Sequence, residues 1–189
     1  MNKITKVILI SLIIGLLIGT GYAISSDSIR LGKNNVFVET VTGTDGKPVI
    51  FIKPPTYGTS QFEAYKAERG ADLKNSAQKN PKTIVWATIN FNDISPSELE
   101  RLKTKYSLML MDISGAASET FQSEVRKDAT AVAVNVEELG EKPEWFSKVY
   151  YVTAKASVID LDKLSVEPNV ILVDLNINGE IHKPVYIPR

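Results

Sequence analysis

Three sets of side chains in this sequence have types and spacing suited to chemistry. The first is a pair of aspartates, Asp112 and Asp174, each near the end of an apolar run, residues 108–113 and 170–175. Two carboxylates work as general acid and base, for instance in a hydrolase, when they are close and their environments separate their pKa values. Aspartates at strand ends also commonly bond loop amides. The second is His182, the one histidine of the chain, beside Lys183 and Pro184 near the C-terminus. A single imidazole makes a weak metal ligand set, so the expected state is an exposed tail residue. The third is the acidic run Glu137, Glu138, Glu141 and Glu144, followed directly by Trp145 and Phe146. Such glutamates suit a docking surface, a loose cation site or a solvated loop. The aromatic pair suits an interface anchor or, the favoured reading, a lid on the bottom of the core. These six residues form the candidate interaction surface; no catalytic, cofactor-binding or metal residue is assigned.

Other chemistries are excluded by residue type. The chain has no cysteine, which removes disulfides, thiolate nucleophiles and Cys-ligated metals. Asp160-Leu-Asp162 opens like a calcium loop, but Leu164 and Ser165 stand where an oxygen ligand and a glycine are needed. Asp160 reads instead as a helix cap. Gly115-Ala-Ala-Ser118 has too little glycine and no following lysine for a phosphate loop. No nucleophile elbow is present. No cofactor is expected.

Residues 1–24 hold two lysines and no acid, which leaves the other 165 residues with a net charge of −2. That balance gives no reason to expect nucleic acid as a partner. Lys3 and Lys6 precede eighteen uncharged residues, Val7 to Ile24. As a helix this run spans roughly 27 Å, close to the hydrocarbon thickness of a bilayer. The lysine asymmetry keeps the N-terminus in the cytoplasm and sends the rest of the chain across. Residues 1–24 are thus a single-pass anchor, with the lipid bilayer as partner, or a signal peptide cleaved near Ala23. Ser11, Gly15 and Gly19 fall on one helix face, as in close-packed membrane helices.

A chain of 189 residues has room for one ordinary domain with additions. Residues 25–82 read as a membrane-proximal region. It holds a β-hairpin (36–41 and 49–52), a short helix from the capping box Ser60-x-x-Glu63 to a stop at Gly70, and a polar linker over 75–82. Residues 83–189 read as the core domain. Residues 84–91 alternate as a strand, and Ser95-Pro96-Ser97-Glu98 starts a helix whose stripe is Leu99, Leu102 and Tyr106. Residues 108–113 form an apolar central strand. The same order recurs over 149–157, a short helix through Leu164, and 170–175. Shifted by 65 residues, Ile84 falls on Val149, Trp86 on Tyr151 and Thr88 on Thr153, and after a three-residue deletion Asp112 falls on Asp174. Between the units, residues 118–127 suit a helix and 130–136 a strand. Asn178-Gly179 marks a turn before a proline-limited edge segment, 181–189. Two βαβ units side by side predict an α+β, ferredoxin-like sandwich.

The run 84–91, Asp93-Ile-Ser-Pro-Ser-Glu-Leu99 and 108–113, about 30 residues, resembles the extracytoplasmic regulatory domains of membrane-bound anti-sigma and sensor proteins of Gram-positive bacteria. That resemblance implies a non-enzymatic interaction domain outside the cytoplasm. Only six residues precede the apolar run, too few to hold a sigma factor. The expectation is an exported module that binds an envelope protein. The alternatives are a small hydrolase using the aspartate pair, or an inhibitor or propeptide-like module, since paired βαβ units also build protease propeptides.

Overall fold

The computed structural model describes residues 29–31, 36–42, 48–176 and 180–185. The expected leader (1–24) and the turn at Asn178-Gly179 lie outside the described residues. Among the described residues, no helix is long and apolar enough to cross a membrane.

Among the described residues, the chain is a mixed α+β structure of two sheets and five α-helices. The small sheet has the order β1 (Ile29–Leu31), β2 (Val36–Thr42), β3 (Pro48–Lys53) and β9 (Glu180–His182). β2 and β3 pair antiparallel from Phe37↔Lys53 to Thr42↔Pro48, so the expected hairpin forms. β9 joins β3 in parallel, Ile50↔Glu180 to Ile52↔His182, which brings the C-terminal segment to the hairpin.

The large sheet is antiparallel throughout, with the order β6 (Ala131–Asn135), β5 (Met109–Ala117), β7 (Phe146–Ser157), β4 (Ile84–Ile94) and β8 (Val170–Asn176). Helix α2 (Pro96–Tyr106) follows β4, and α5 (Val158–Leu164) follows β7. Leu99 and Leu102 of α2 and Val158, Leu161 and Leu164 of α5 share one core with Ala87, Ile89, Val152, Ala154 and Val173 of the sheet. Two short helices, α3 (Glu119–Glu124) and α4 (Val136–Leu139), flank β6. β5 and β7 approach so closely at a register shift between Ser114 and Gly115 that a Cβ on Gly115 would collide with the Lys148 carbonyl. Only glycine fits there.

Helix starts follow local chemistry. Ser95 accepts from the amide of Glu98 at 3.1 Å, and Pro96 occupies the first turn. Glu98 does not reach back; its carboxylate takes two bonds from Arg101 at 2.8 Å. For α5 the cap is Ser157, not Asp160: Ser157 Oγ accepts from the Asp160 amide at 3.2 Å and donates to its carboxylate. The helix starts one turn earlier than the expected Asp160 cap, because Ser157, the last residue of the strand, takes the capping role.

Helix α1 (Ser60–Lys79) departs most from expectation. Its cap is Thr59, which accepts from the Phe62 amide at 3.2 Å, and it runs through Gly70 for 20 residues. The polar stretch 75–82, expected as a linker, is helical to Lys79. Burial of Leu73 and Ala77 in the main core overrides the glycine stop. The N-terminal half of α1 buries Phe62 and Tyr65 against Ile171, Leu172 and Val185. With the main core on its other side, where Val170, Val173 and Leu175 lie, six of the seven residues of β8 are buried.

Candidate functional site

The second face of the large sheet carries a polar row in register across all five strands. Asn135 pairs with Asp112, Asp112 with Thr153, Thr153 with Thr88, and Thr88 with Asp174. Directly opposed residues of an antiparallel sheet project to the same side. Asp112 and Asp174 do share a face, as their matching positions predict. Three strand spacings separate them, roughly 14 Å at about 4.8 Å each. They form no acid–base pair. Asp112 accepts from Asn135 Nδ2 at 3.1 Å, and partial burial raises its pKa.

Asp174 lies at the centre of a different cluster. Its carboxylate has no exposed surface, and α1 and β9 bring polar groups to it, with β4 and β8 holding β9 in place. Tyr65 of α1 donates its hydroxyl at 3.2 Å, and Arg69, one turn later, donates Nε at 3.0 Å. His182 of β9 approaches Tyr65 Oη with Nδ1 at 3.0 Å, and Arg69 Nη2 lies 3.4 Å from its Nε2. Thr88 of β4 donates to the His182 carbonyl at 2.9 Å, and Asn176 of β8 accepts from the His182 amide at 3.1 Å. Three residues further on, the Val185 amide donates to Asn90 Oδ1 at 2.8 Å.

The protons follow from the donors. A guanidinium has no acceptor, so His182 Nε2 must accept from Arg69 and Nδ1 must carry the ring proton. Nδ1–H then donates to Tyr65 Oη, whose own proton goes to Asp174. Arg69 Nε supplies the second donor to that carboxylate. The circuit closes with Asp174 ionised and His182 neutral. Burial pushes the Asp174 pKa up to about 6, opposed by the Arg69 charge and the two donors. Burial, and then the Arg69 charge, press His182 down to about 3. Burial likewise raises the Tyr65 phenol above its ordinary range, and the Asp174 charge adds to it.

Chemically the cluster is a clamp. His182 is 2 % exposed and both its ring nitrogens are occupied, so no substrate atom reaches it in this arrangement. What it accomplishes is to tie α1, β8, β4 and β9 together, each contributing one or more polar side chains. The expectation of an exposed tail histidine is therefore corrected: pairing of β9 with β3 carries His182 into the interior. Arg69, Thr88, Asn90 and Asn176 were missed as members. The available signal for Arg69 was its spacing, four residues after Tyr65 and seven after Phe62 on the apolar stripe.

The acidic segment is divided by the fold. Glu137, Glu138, Glu141 and Glu144 are exposed. Glu141 pairs with Lys103 Nζ of α2 at 2.6 Å. Trp145 is half-buried, edge-on to Phe121 at 5.2 Å between ring centroids. Phe146 is 4 % exposed and belongs to the core, which removes it from any surface patch. Among the described residues, no three His, Asp or Glu side chains gather as a metal-binding group.

No protein-family model matches the chain, and neither does any curated protein or solved structure.

Proposed function

We propose that this chain is a non-enzymatic extracytoplasmic module, tethered to the membrane or secreted, that acts by protein–protein binding in an envelope or regulatory complex. The observation that carries this reading is the leader: Lys3 and Lys6, then eighteen uncharged residues, then a body of net charge −2. Such a segment partners the bilayer as an anchor, or is cut near Ala23 and releases the body. Binding is favoured over catalysis because the polar groups in closest contact saturate one another, while the two aspartates suited to hydrolysis stand three strands apart. The resemblance of residues 84–113 to extracytoplasmic regulatory domains points the same way. We read the core as a ferredoxin-like sandwich with one added strand. Its support is the order β8-β4-β7-β5, with a helix after β4 and another after β7.

The test is topology. A C-terminal fusion to a reporter that works only outside the cytoplasm should be active, and activity confined to the cytosol would sink the proposal. Membrane fractionation with N-terminal sequencing of the mature protein separates the anchor from the cleaved form. Asp112→Asn should leave biological function intact, since the hydrolase reading needs that carboxylate and the fold does not.

A further inference from the structure

The two ends of the large sheet are treated differently. At one end, α1 clothes β8. At the other, β6 is paired on a single side, with β5, and among the described residues no strand covers its outer edge. We propose that β6 is where two copies of this chain join, their Ala131–Asn135 strands pairing antiparallel about a two-fold axis at Ala133, so that the two sheets run on as one.

Proteins normally block a bare edge with charge, proline, or a bulge. β6 has none of these: its sequence is Ala-Val-Ala-Val-Asn, and its ladder to β5 runs from Asp112↔Asn135 to Ala116↔Ala131 without a slip. Val132 and Val134 are buried, whereas Ala131, Ala133 and Asn135 are exposed. The Thr130 carbonyl accepts from the Ala117 amide at 3.2 Å, which fixes the alternation. Residues 130, 132 and 134 turn their peptide groups to β5, and 131 and 133 turn theirs outward. Those outward groups are open to the ladder of a second strand, and the methyl side chains beside them leave room for it.

Charge selects the partner and its direction. Exposed Arg126 and Lys127 precede β6, and exposed Glu137 and Glu138 follow it. Asp128 lies between, bonded by Arg126 at 3.3 Å, and offsets part of the basic flank. An antiparallel second copy sets the basic flank of each chain beside the acidic flank of the other, and a parallel copy sets like beside like. Isologous pairing of one strand with itself is the simplest closed interface. This inference stands apart from the export reading, since it concerns the folded body in either compartment.

The chain has no cysteine, so single cysteines report contacts without background. In the full chain held in detergent micelles, Ala133→Cys should be linked into a covalent dimer by a short thiol cross-linker. Ala131→Cys alone should not, but mixed with the Asn135→Cys chain it should. Ala133→Pro, which removes an outward amide and leaves the β5 ladder intact, should sediment as a monomer with an unchanged circular-dichroism spectrum. If that variant fails to fold, the cross-linking series decides alone. Failure of Ala133→Cys to link overturns the proposal and leaves the edge bare or meant for a different protein. Equal self-linking at all positions reduces it to chance collision, to contact through residues 1–24, or to a parallel arrangement, and self-linking confined to Ala131 replaces it with an antiparallel pairing in a shifted register, centred on that residue. A cytosolic reporter result would leave this test untouched, just as a monomer would leave the export reading untouched.

Discussion

Asp174 and His182 are buried side by side and pull stability in opposite directions with pH. The Asp174 pKa rises in the folded state, from the ordinary 3.8 to about 6. The folded chain therefore holds that proton more tightly, a contribution present below about pH 4 and lost as the pH rises through 6. The His182 pKa falls from 6.5 to about 3. Its contribution is complete above about pH 6.5 and is lost as the pH falls toward 3. Between pH 4 and 6 the two trends oppose, so the pair contributes little net slope. Asp174→Asn removes one of them. Relative to that variant, the unmodified protein should lose stability between pH 4 and 6, by on the order of 3 kcal/mol. Urea unfolding midpoints across that range measure the difference, and parallel profiles would refute the assignment. Residue types alone gave little warning of this. Asp174 was legible as a strand-end carboxylate, and Tyr65 only as a position on the expected short helix. The third partner was not, because nothing local distinguishes a buried tail histidine from an exposed one.

Among the elements, α2 was the most legible. Its cap, first-turn proline and apolar stripe all lie between Ser95 and Tyr106 and agree with one another. Helix α1 was the least legible, because Gly70 is a local stop signal that distant packing overrules. Gly70 has open space where a Cβ would sit, and an interior helical glycine costs about 1 kcal/mol relative to alanine. Gly70→Ala should therefore stabilise the protein by roughly 0.5–1 kcal/mol, read as a higher melting temperature. Destabilisation would mean that α1 does not run unbroken from Ser60 to Lys79. The later half of α1 matters to the clamp as well. Leu73 and Ala77 fix the helix on the main core, which holds Tyr65 and Arg69 over β8. The β5–β7 contact at Gly115 has a similar character, since a glycine in a strand is visible in the sequence while the carbonyl it accommodates is not.

At the scale of the whole molecule, the C-terminal segment is the joint between the two sheets. β9 extends the small sheet through β3, the Lys183 amide donates to the Ile52 carbonyl at 2.8 Å, and Lys183 Nζ reaches Glu39 of β2 at 2.5 Å. The same segment bonds Tyr65, Thr88, Asn90 and Asn176 of the large unit. A chain ending at residue 179 loses all these hydrogen bonds, although Tyr65 keeps Asp174 and Asn176 keeps Thr88. At about 1 kcal/mol for each lost hydrogen bond, it should be less stable by roughly 3 kcal/mol or more. Hydrogen exchange should accelerate in β3 and β8 together while β5 and β6 keep their protection; unchanged protection in β8 would show that the clamp holds without β9. The sequence by itself determined what neighbouring residues decide among themselves: the hairpin, the start of α2, the alternation of the strands, the repeated strand–helix–strand order and the charge asymmetry of residues 1–24. Only the tertiary structure decided that Asp112 and Asp174 stand apart, that α1 continues past its glycine, and that a histidine 117 positions from Tyr65 shares its hydroxyl. Caps and periodicity act over three or four residues, whereas the burial of a polar group depends on which distant strands pair and in what register.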